Sequence, residues 1–248
     1  MEIKSFKGIV LSETNYSESS KILNVLTEDV GLIGIISKGC RNIKSKLRSV
    51  SRKLIYGKFN IYYKEKGLST LISVDIINSY SKILEDLEKI SYASLILDLT
   101  NQVIKQNNDP NIFILLKDTL NKLNDGLNPL SLTNILELKL LDYLGVAPSL
   151  DCCAMCGSTK DIVSLSVESG GYVCKNCYKN LEITNEKAIK MIRLYYYVDI
   201  DKITKLDVSD DVNNEINKFL DEYYDKYTGI YLKSKSFIKK LNQLTNKG

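Results

Sequence analysis

The first eighty residues alternate short runs of β-branched and aromatic residues with turn sequences. Glu28–Gly31 and Lys64–Gly67 are typical turns between such runs. Five strands are predicted, at residues 6–11, 21–27, 32–37, 54–63 and 68–77. Five short strands without intervening helices indicate a small closed barrel, and the OB-fold is one of the few five-stranded choices. An SH3-like barrel fits the pattern less well, and strand count alone leaves it open.

Beyond Tyr80 the apolar positions recur at helical spacing. Helices are predicted at 83–103, 112–123, 130–144, 185–198, 212–226 and 236–244. The helices on either side of the cysteine-containing region are too few for independent cores, so we expect one bundle with that region inserted. The prediction is an α+β protein: a five-stranded OB-fold barrel at 1–80, an α-helical bundle domain at 81–150 and 181–248, and a four-cysteine zinc module at 151–180.

Four cysteines form two C-x2-C pairs separated by seventeen residues, Cys153 with Cys156 and Cys174 with Cys177. This spacing is typical of a zinc site, and four thiolates complete a tetrahedron with no open position for water. The pattern therefore predicts one structural Zn²⁺ per chain, with an iron–sulfur cluster as the main alternative. Cys152 could replace Cys153 as a ligand, but the spacing favours Cys153. Cys40 is expected to be a semi-buried small residue.

The predicted loop between the third and fourth strands is strongly basic. No acidic residue occurs between Asp29 and Glu65, whereas nine lysines and arginines do. Such one-sided charge is typical of a nucleic-acid-binding surface, and a solvated loop normally mixes both signs. The predicted DNA-binding residues are Lys38, Arg41, Lys44, Lys46, Arg48, Arg52 and Lys53. Serines in the same segment (Ser37, Ser45, Ser49 and Ser51) could donate hydrogen bonds to phosphate oxygens. Tyr56, Tyr62 and Tyr63 could stack on bases, although strand alternation favours a core position for each.

Composition narrows the possible functions. The chain has no histidine, which removes the commonest general base and the serine–histidine and cysteine–histidine nucleophile pairs. No apolar run approaches the roughly 20 residues of a membrane-spanning helix, and the N-terminus does not have the pattern of a signal peptide. These features predict a cytoplasmic protein.

Several short motifs, in order, resemble the RecO family over nearly the whole chain. They are Ile9–Leu11, Tyr16–Leu23, Leu26–Ile33, Lys38–Arg41, Lys64–Leu68, Cys153–Gly157, Gly170–Cys177 and Leu232–Ile238. The resemblance implies a DNA repair and recombination mediator, associated with the nucleoid, that binds single- and double-stranded DNA and catalyses no covalent reaction. It also implies annealing of complementary strands and loading of recombinase onto DNA coated with single-strand-binding protein, with RecR as a partner.

The resemblance further implies that the acidic tail of single-strand-binding protein docks on the helical domain. The helix around Leu136–Tyr143, with Lys139 as a cation, is the candidate. Two other functions stay open. A zinc-containing nuclease would need clustered carboxylates for Mg²⁺, and the basic segment lacks them. A transcription regulator with a zinc ribbon would need a recognition motif such as helix-turn-helix, and none is convincing.

Overall fold

Five N-terminal strands close into a barrel in the computed structural model, which describes residues 2–179 and 182–232 with Ser234, Lys235 and Ile238. The strands are β1 (Glu2–Tyr16), β2 (Ser20–Thr27), β3 (Gly31–Ser37), β4 (Tyr56–Tyr63) and β5 (Ser69–Asn78). Their order around the barrel is β1-β2-β3-β5-β4, with β4 pairing back onto β1. All pairs are antiparallel except β3 with β5. This arrangement confirms the predicted five-stranded OB-fold and the α+β class.

Alternating apolar residues fill the barrel. Val10, Leu23, Ile35 and Phe59 are among the side chains with no exposed surface. β1 is long enough to pair with β2 and β4 in turn, and a register shift between Val10 and Ser12 bends it around the barrel. The sequence-based strands match the observed ones, although β1 extends four residues earlier and five later than predicted.

Three helices pack with the barrel in a first compact unit, which extends to Asp125. They are α1 (Ser81–Leu84), α2 (Leu87–Gln106) and α3 (Asn111–Asn124). The single helix predicted at 83–103 is divided because the Asp86 carboxylate accepts hydrogen bonds from the amides of Glu88 and Lys89 and starts a new helix there. The Lys89 amide is the main cause of a lowered pKa for Asp86.

A second compact unit begins at Gly126 and contains the cysteine pairs. Its elements are α4 (Pro129–Tyr143), β6 (Ile162–Ser166), β7 (Gly171–Cys174), α5 (Glu186–Tyr197), a 3-10 turn at Ile200–Lys202 and α6 (Asp210–Tyr227). The buried Asn213 amide of α6 joins two elements, because its oxygen accepts hydrogen bonds from Ser131 of α4 and Tyr195 of α5. This unit therefore has buried polar contacts as well as apolar packing in its core.

Contacts group α1–α3 with the barrel and α4–α6 with the cysteine pairs. The domain boundaries at residues 80, 150 and 180 stay a prediction. The helix predicted at 236–244 falls outside the described residues, apart from Ile238. No helix within the described residues combines the length and the apolarity needed to cross a bilayer.

Candidate metal centre and nucleic-acid interface

The first cysteine pair lies in a tight turn between α4 and β6. The Gly157 amide donates to the carbonyl oxygen of Cys153 at 2.8 Å, and the Cys153 amide donates to Ser158 at 2.7 Å. Gly157 has a φ of 76°, in the left-handed region that favours glycine. The short turn therefore brings the Cys153 and Cys156 side chains to one side of the chain.

The second pair follows the β6–β7 hairpin. Gly171 opens β7 with a φ of 144°, and a Cβ added there would lie 2.3 Å from the carbonyl oxygen of Ser149. Only glycine permits this close approach, which aligns β7 so that Cys174 ends the strand. The Cys177 amide then donates to the Cys174 carbonyl oxygen at 3.0 Å and closes the second turn.

The four predicted zinc ligands come together. Their sulfur atoms all lie within 4.8 Å of one another, and the Cys156 and Cys174 sulfurs are 3.6 Å apart. A tetrahedron with metal–sulfur bonds of about 2.3 Å has sulfur–sulfur edges of roughly 3.8 Å. Cys153 and Cys174 are buried, whereas Cys156 is exposed. The cluster can therefore hold one metal ion, partly open to solvent on the Cys156 side.

The thiols of this cluster influence one another's ionisation. Burial raises the pKa of the Cys153 thiol, but hydrogen bonds from backbone amides, that of Cys174 foremost, outweigh burial and lower it to about 6. A hydrogen bond with Cys156, followed by burial, raises the pKa of Cys177 to about 12. The Ser158 amide lowers the pKa of Cys156, yet neighbouring thiols leave it above its usual value. Sulfurs this close cannot all carry charge without a cation between them.

Cys152 lies outside the cluster. Its sulfur is 3.7 Å from the hydroxyl oxygen of Ser149, and it is not among the four sulfurs that converge. The geometry therefore agrees with the choice of Cys153 over Cys152 as ligand, which stays a prediction.

The basic residues occupy the β3–β4 loop (residues 38–55), which folds as consecutive turns. Amides of Asn42, Ser45 and Arg48 each donate to the carbonyl oxygen three residues earlier. Cys40, Val50 and Leu54 are buried beneath the loop, and Leu47 packs on the barrel core. Cys40 is more deeply buried than the semi-buried position that was expected, since only 2% of this residue is exposed. The loop thus has an apolar underside that fixes its backbone.

Six of the seven predicted DNA-binding residues are exposed on this loop, and Lys53 is half-buried. The Lys53 amine lies 3.7 Å from Asp98 of α2. Arg41 donates from its guanidinium to the Ser17 carbonyl oxygen at 3.2 Å. The DNA-binding role of all seven stays a prediction. The other five residues are exposed where a polyanion could reach them: Lys38, Lys44, Lys46, Arg48 and Arg52.

Two of the four serines of this segment cannot donate hydrogen bonds to phosphate oxygens. Ser37 and Ser51 have no exposed surface, and the Ser51 hydroxyl donates to that of Ser37 at 2.7 Å. This hydrogen bond joins the end of β3 to the later part of the loop. Only Ser45 and Ser49 remain available to phosphate oxygens. Strand alternation favoured a core position for all three tyrosines, but Tyr56 and Tyr63 are only half-buried and 41% of Tyr62 is exposed.

Sequence reasoning missed the turn between β1 and β2, which lies against the basic loop. The Arg41 amide donates to the Ser19 carbonyl oxygen at 2.8 Å, and the Gly39 amide donates to the Ser20 hydroxyl at 3.3 Å. Nineteen or more positions separate the partners, so no local pattern reveals these contacts. The two segments together form one end of the barrel.

Family comparisons agree with this architecture. The family model "Recombination protein O N terminal" matches residues 1–80, and "Recombination protein O C terminal" matches residues 84–236. The chain belongs to the RecO family. Curated relatives named DNA repair protein RecO include one from Halalkalibacterium halodurans, 33% identical over 96% of this chain and 95% of its own. The Bacillus cytotoxicus RecO is 34% identical, over 96% and 97% of the two chains, and that of Listeria monocytogenes serotype 4b is 32% identical, over 97% and 95%.

The helix suggested for docking a single-strand-binding tail is not available in this RecO chain. Leu136 and Leu140 of α4 have no exposed surface. The Lys139 amine donates to the Tyr196 carbonyl oxygen at 2.9 Å, and burial lowers the pKa of this lysine. α4 is buried almost all round, including polar residues such as Thr133 and Asn134, and this burial is typical of a core helix and not of a surface groove. That expectation was wrong.

Proposed function

We propose that this chain is a DNA repair and recombination mediator that binds single- and double-stranded DNA through the β3–β4 loop. The observation that carries the proposal is the form of that loop, a folded segment with an apolar underside and exposed cations. A backbone fixed before binding loses little conformational entropy when phosphates arrive. The protein acts in the cytoplasm, in association with the nucleoid.

Charge neutralisation explains how such a surface promotes annealing. Two complementary strands repel each other through their phosphates, and cations on one surface reduce this repulsion by displacing counterions. Phosphate contacts carry no base information, so any complementary pair can be aligned. RecR and the acidic tail of single-strand-binding protein are the proposed partners in loading recombinase. The site for the tail lies elsewhere than on α4.

The proposed metal is zinc, with a structural role. Four thiolates complete a tetrahedral shell and leave no position for substrate or activated water. The sulfur spacing suits a single ion, whereas a cluster of several irons needs donors farther apart. Because the two turns carry the ligands on either side of the β6–β7 hairpin, the ion joins segments distant in sequence. Its contribution is to the folding of this module.

A nuclease is the second candidate, and the surroundings of the loop do not favour it. Metal-assisted phosphodiester cleavage needs carboxylates that converge on Mg²⁺. Within the described residues no carboxylates converge near the loop, and Asp98 and Glu13 lie instead in ion pairs with Lys53 and Lys21. The chain is therefore proposed to act without covalent catalysis. Incubation with labelled DNA and Mg²⁺ separates the candidates, because a nuclease yields fragments and a mediator yields annealed duplex.

The salt dependence of DNA binding tests the loop. Wild-type affinity for a single strand should fall linearly with salt on a log–log plot, with a slope near −0.7 per neutralised phosphate. Replacing Lys44, Lys46 and Arg48 by alanine should flatten that slope by roughly 2, since three contacts of about 0.7 are lost. Annealing should weaken in parallel, while thermal unfolding should change little because these side chains are exposed.

A matched control removes equal charge from the second unit. Lys187, Lys190 and Lys202 are exposed, and their replacement by alanine also lowers the formal net charge by three. This variant should keep the wild-type slope. An unchanged slope in the folded loop variant, or an equal change in the control, would refute the loop as the DNA interface.

A further inference from the structure

The β1–β2 turn and the basic loop lie against each other and form one continuous surface. Three hydrogen bonds join the loop to the turn and to Ser20 at the start of β2: Arg41 amide to Ser19, Arg41 guanidinium to Ser17, and Gly39 amide to the Ser20 hydroxyl. The Lys21 amine adds a fourth, 3.4 Å from the Ser51 carbonyl oxygen. A ligand on the loop cations therefore also meets the turn.

Two large apolar side chains project from this surface. Tyr16 is 49% exposed at the end of β1, directly before the Ser17 whose carbonyl accepts from Arg41. Ile43 is 86% exposed, two residues after Arg41. Within the described residues, the Tyr16 side chain makes no hydrogen bond, ion pair or ring contact. Both side chains are thus free to contact a ligand that the cations attract.

We propose that Tyr16 is a stacking platform for an unpaired DNA base, and that Ile43 packs against a neighbouring base. This inference rests on the proposed DNA-binding function and deepens it, because it assigns the turn and the loop a preference for single strands. Every base has a π-face, so an exposed aromatic ring beside cations binds single strands with little sequence preference. In a duplex those faces are already stacked, and only the phosphates remain to be bound.

The charges around Tyr16 favour an orientation in which the bases of a bound strand face the β1–β2 turn. Arg41 and Lys44 lie on the loop side, whereas Glu18 is exposed in the turn itself. A carboxylate repels phosphates, so the strand backbone follows the loop and its bases face the turn. Tyr16 is then on the base side of the strand. The hydrogen bonds of Arg41 to Ser17 and Ser19 hold the two sides at a fixed separation.

Paired probes separate base contacts from phosphate contacts. One probe is an oligothymidine, and the other is an abasic strand of the same length with the same phosphates. Anisotropy titrations should show that Tyr16→Ala weakens oligothymidine binding roughly 5- to 150-fold, the range for loss of one base–aromatic stack. Binding of the abasic strand should be unchanged, and so should the salt slope. Ile43→Ala should give a smaller loss with the same selectivity.

Two further variants serve as controls. Tyr16→Phe keeps the ring and should bind like wild type. Tyr62→Ala removes another exposed tyrosine, which pairs with Ile3 at the opposite end of β1 and should have no effect. Equal losses on both probes would overturn the inference, because they would indicate a structural role for Tyr16, and so would the absence of any loss. Failure of the proposed function is distinguishable, since it would leave the slope of the Lys44, Lys46 and Arg48 variant unchanged.

Discussion

Replacing Cys153 and Cys152 by serine, one at a time, tests the metal centre at the point where the sequence is ambiguous. The two residues are adjacent and chemically identical. The Cys153 sulfur belongs to the cluster within 4.8 Å, and 1% of the residue is exposed. The Cys152 sulfur lies instead beside the Ser149 hydroxyl. Cys153→Ser should therefore lose the metal, and Cys152→Ser should keep it.

The expected magnitude follows from the four-ligand shell. Structural zinc sites bind with about 10–16 kcal/mol at neutral pH. One ligand of four accounts for roughly 3–4 kcal/mol, which is about a 100- to 1000-fold loss of affinity. The core that this module has without the metal is small, consisting of Cys153, Val173 and Cys174 with Ile162 and Cys177 packed against them. Loss of the ion should therefore also open residues 151–179 to protease, while the barrel stays folded.

Metal analysis of reduced protein and competition with a chromophoric chelator measure both effects. Wild type and Cys152→Ser should each carry about one zinc per chain. Limited proteolysis should cut Cys153→Ser within the module and leave Cys152→Ser intact. Loss of zinc from Cys152→Ser with retention in Cys153→Ser would refute the ligand assignment. Reduced wild-type protein that takes up no zinc would refute the metal centre altogether.

Two further predictions concern the same unit. Because the pKa values of Cys156 and Cys177 are raised, both thiols are protonated in metal-free protein at pH 7. Zinc loading should therefore release at least two protons, which calorimetry in buffers of different ionisation enthalpy measures. The affinity for zinc should rise at least 100-fold per pH unit for the same reason. Release of fewer than two protons would contradict these pKa shifts. Gly171→Ala should destabilise the unit by several kcal/mol in denaturant unfolding, because its Cβ would meet the Ser149 backbone. Gly157→Ala, with open space around it, should cost only about 1–2 kcal/mol, and equal losses would contradict the steric argument.

The barrel was predictable because each strand carries its own signal. The signals of a strand are alternation, β-branched residues and turn sequences, and they lie within ten residues of one another. They can therefore be recognised from the sequence without knowledge of the fold. The pattern fixes strand number and approximate bounds, and it favours an OB-fold over an SH3-like barrel. It does not reveal the bend of β1, which depends on pairing with β2 on one side and β4 on the other.

The convergence of the four cysteines was predictable for a similar reason. A C-x2-C pair is a complete local unit, and only the meeting of two pairs requires tertiary structure. The docking helix was predicted wrongly because an amphipathic face and a core helix share the same apolar spacing over short windows. In α4 the intervening positions, such as Thr133 and Asn134, are buried as well. Their polarity made the helix resemble a surface element.

The basic loop shows where sequence reasoning stops. Its cations were identified from composition. Their ability to bind DNA as one surface depends on the barrel core beneath the loop and on the β1–β2 turn beside it. Leu47 and Val50 anchor the loop on the barrel, and Ser37 and Ser51 turn inward to join its ends. Arg41 reaches across to a turn some twenty residues earlier. The charge of the loop can therefore be inferred from sequence alone. The fold of the barrel is needed to bring the exposed ring of Tyr16 beside these charges. That combination, and not net charge, is what distinguishes a single-strand interface from a general polyanion surface.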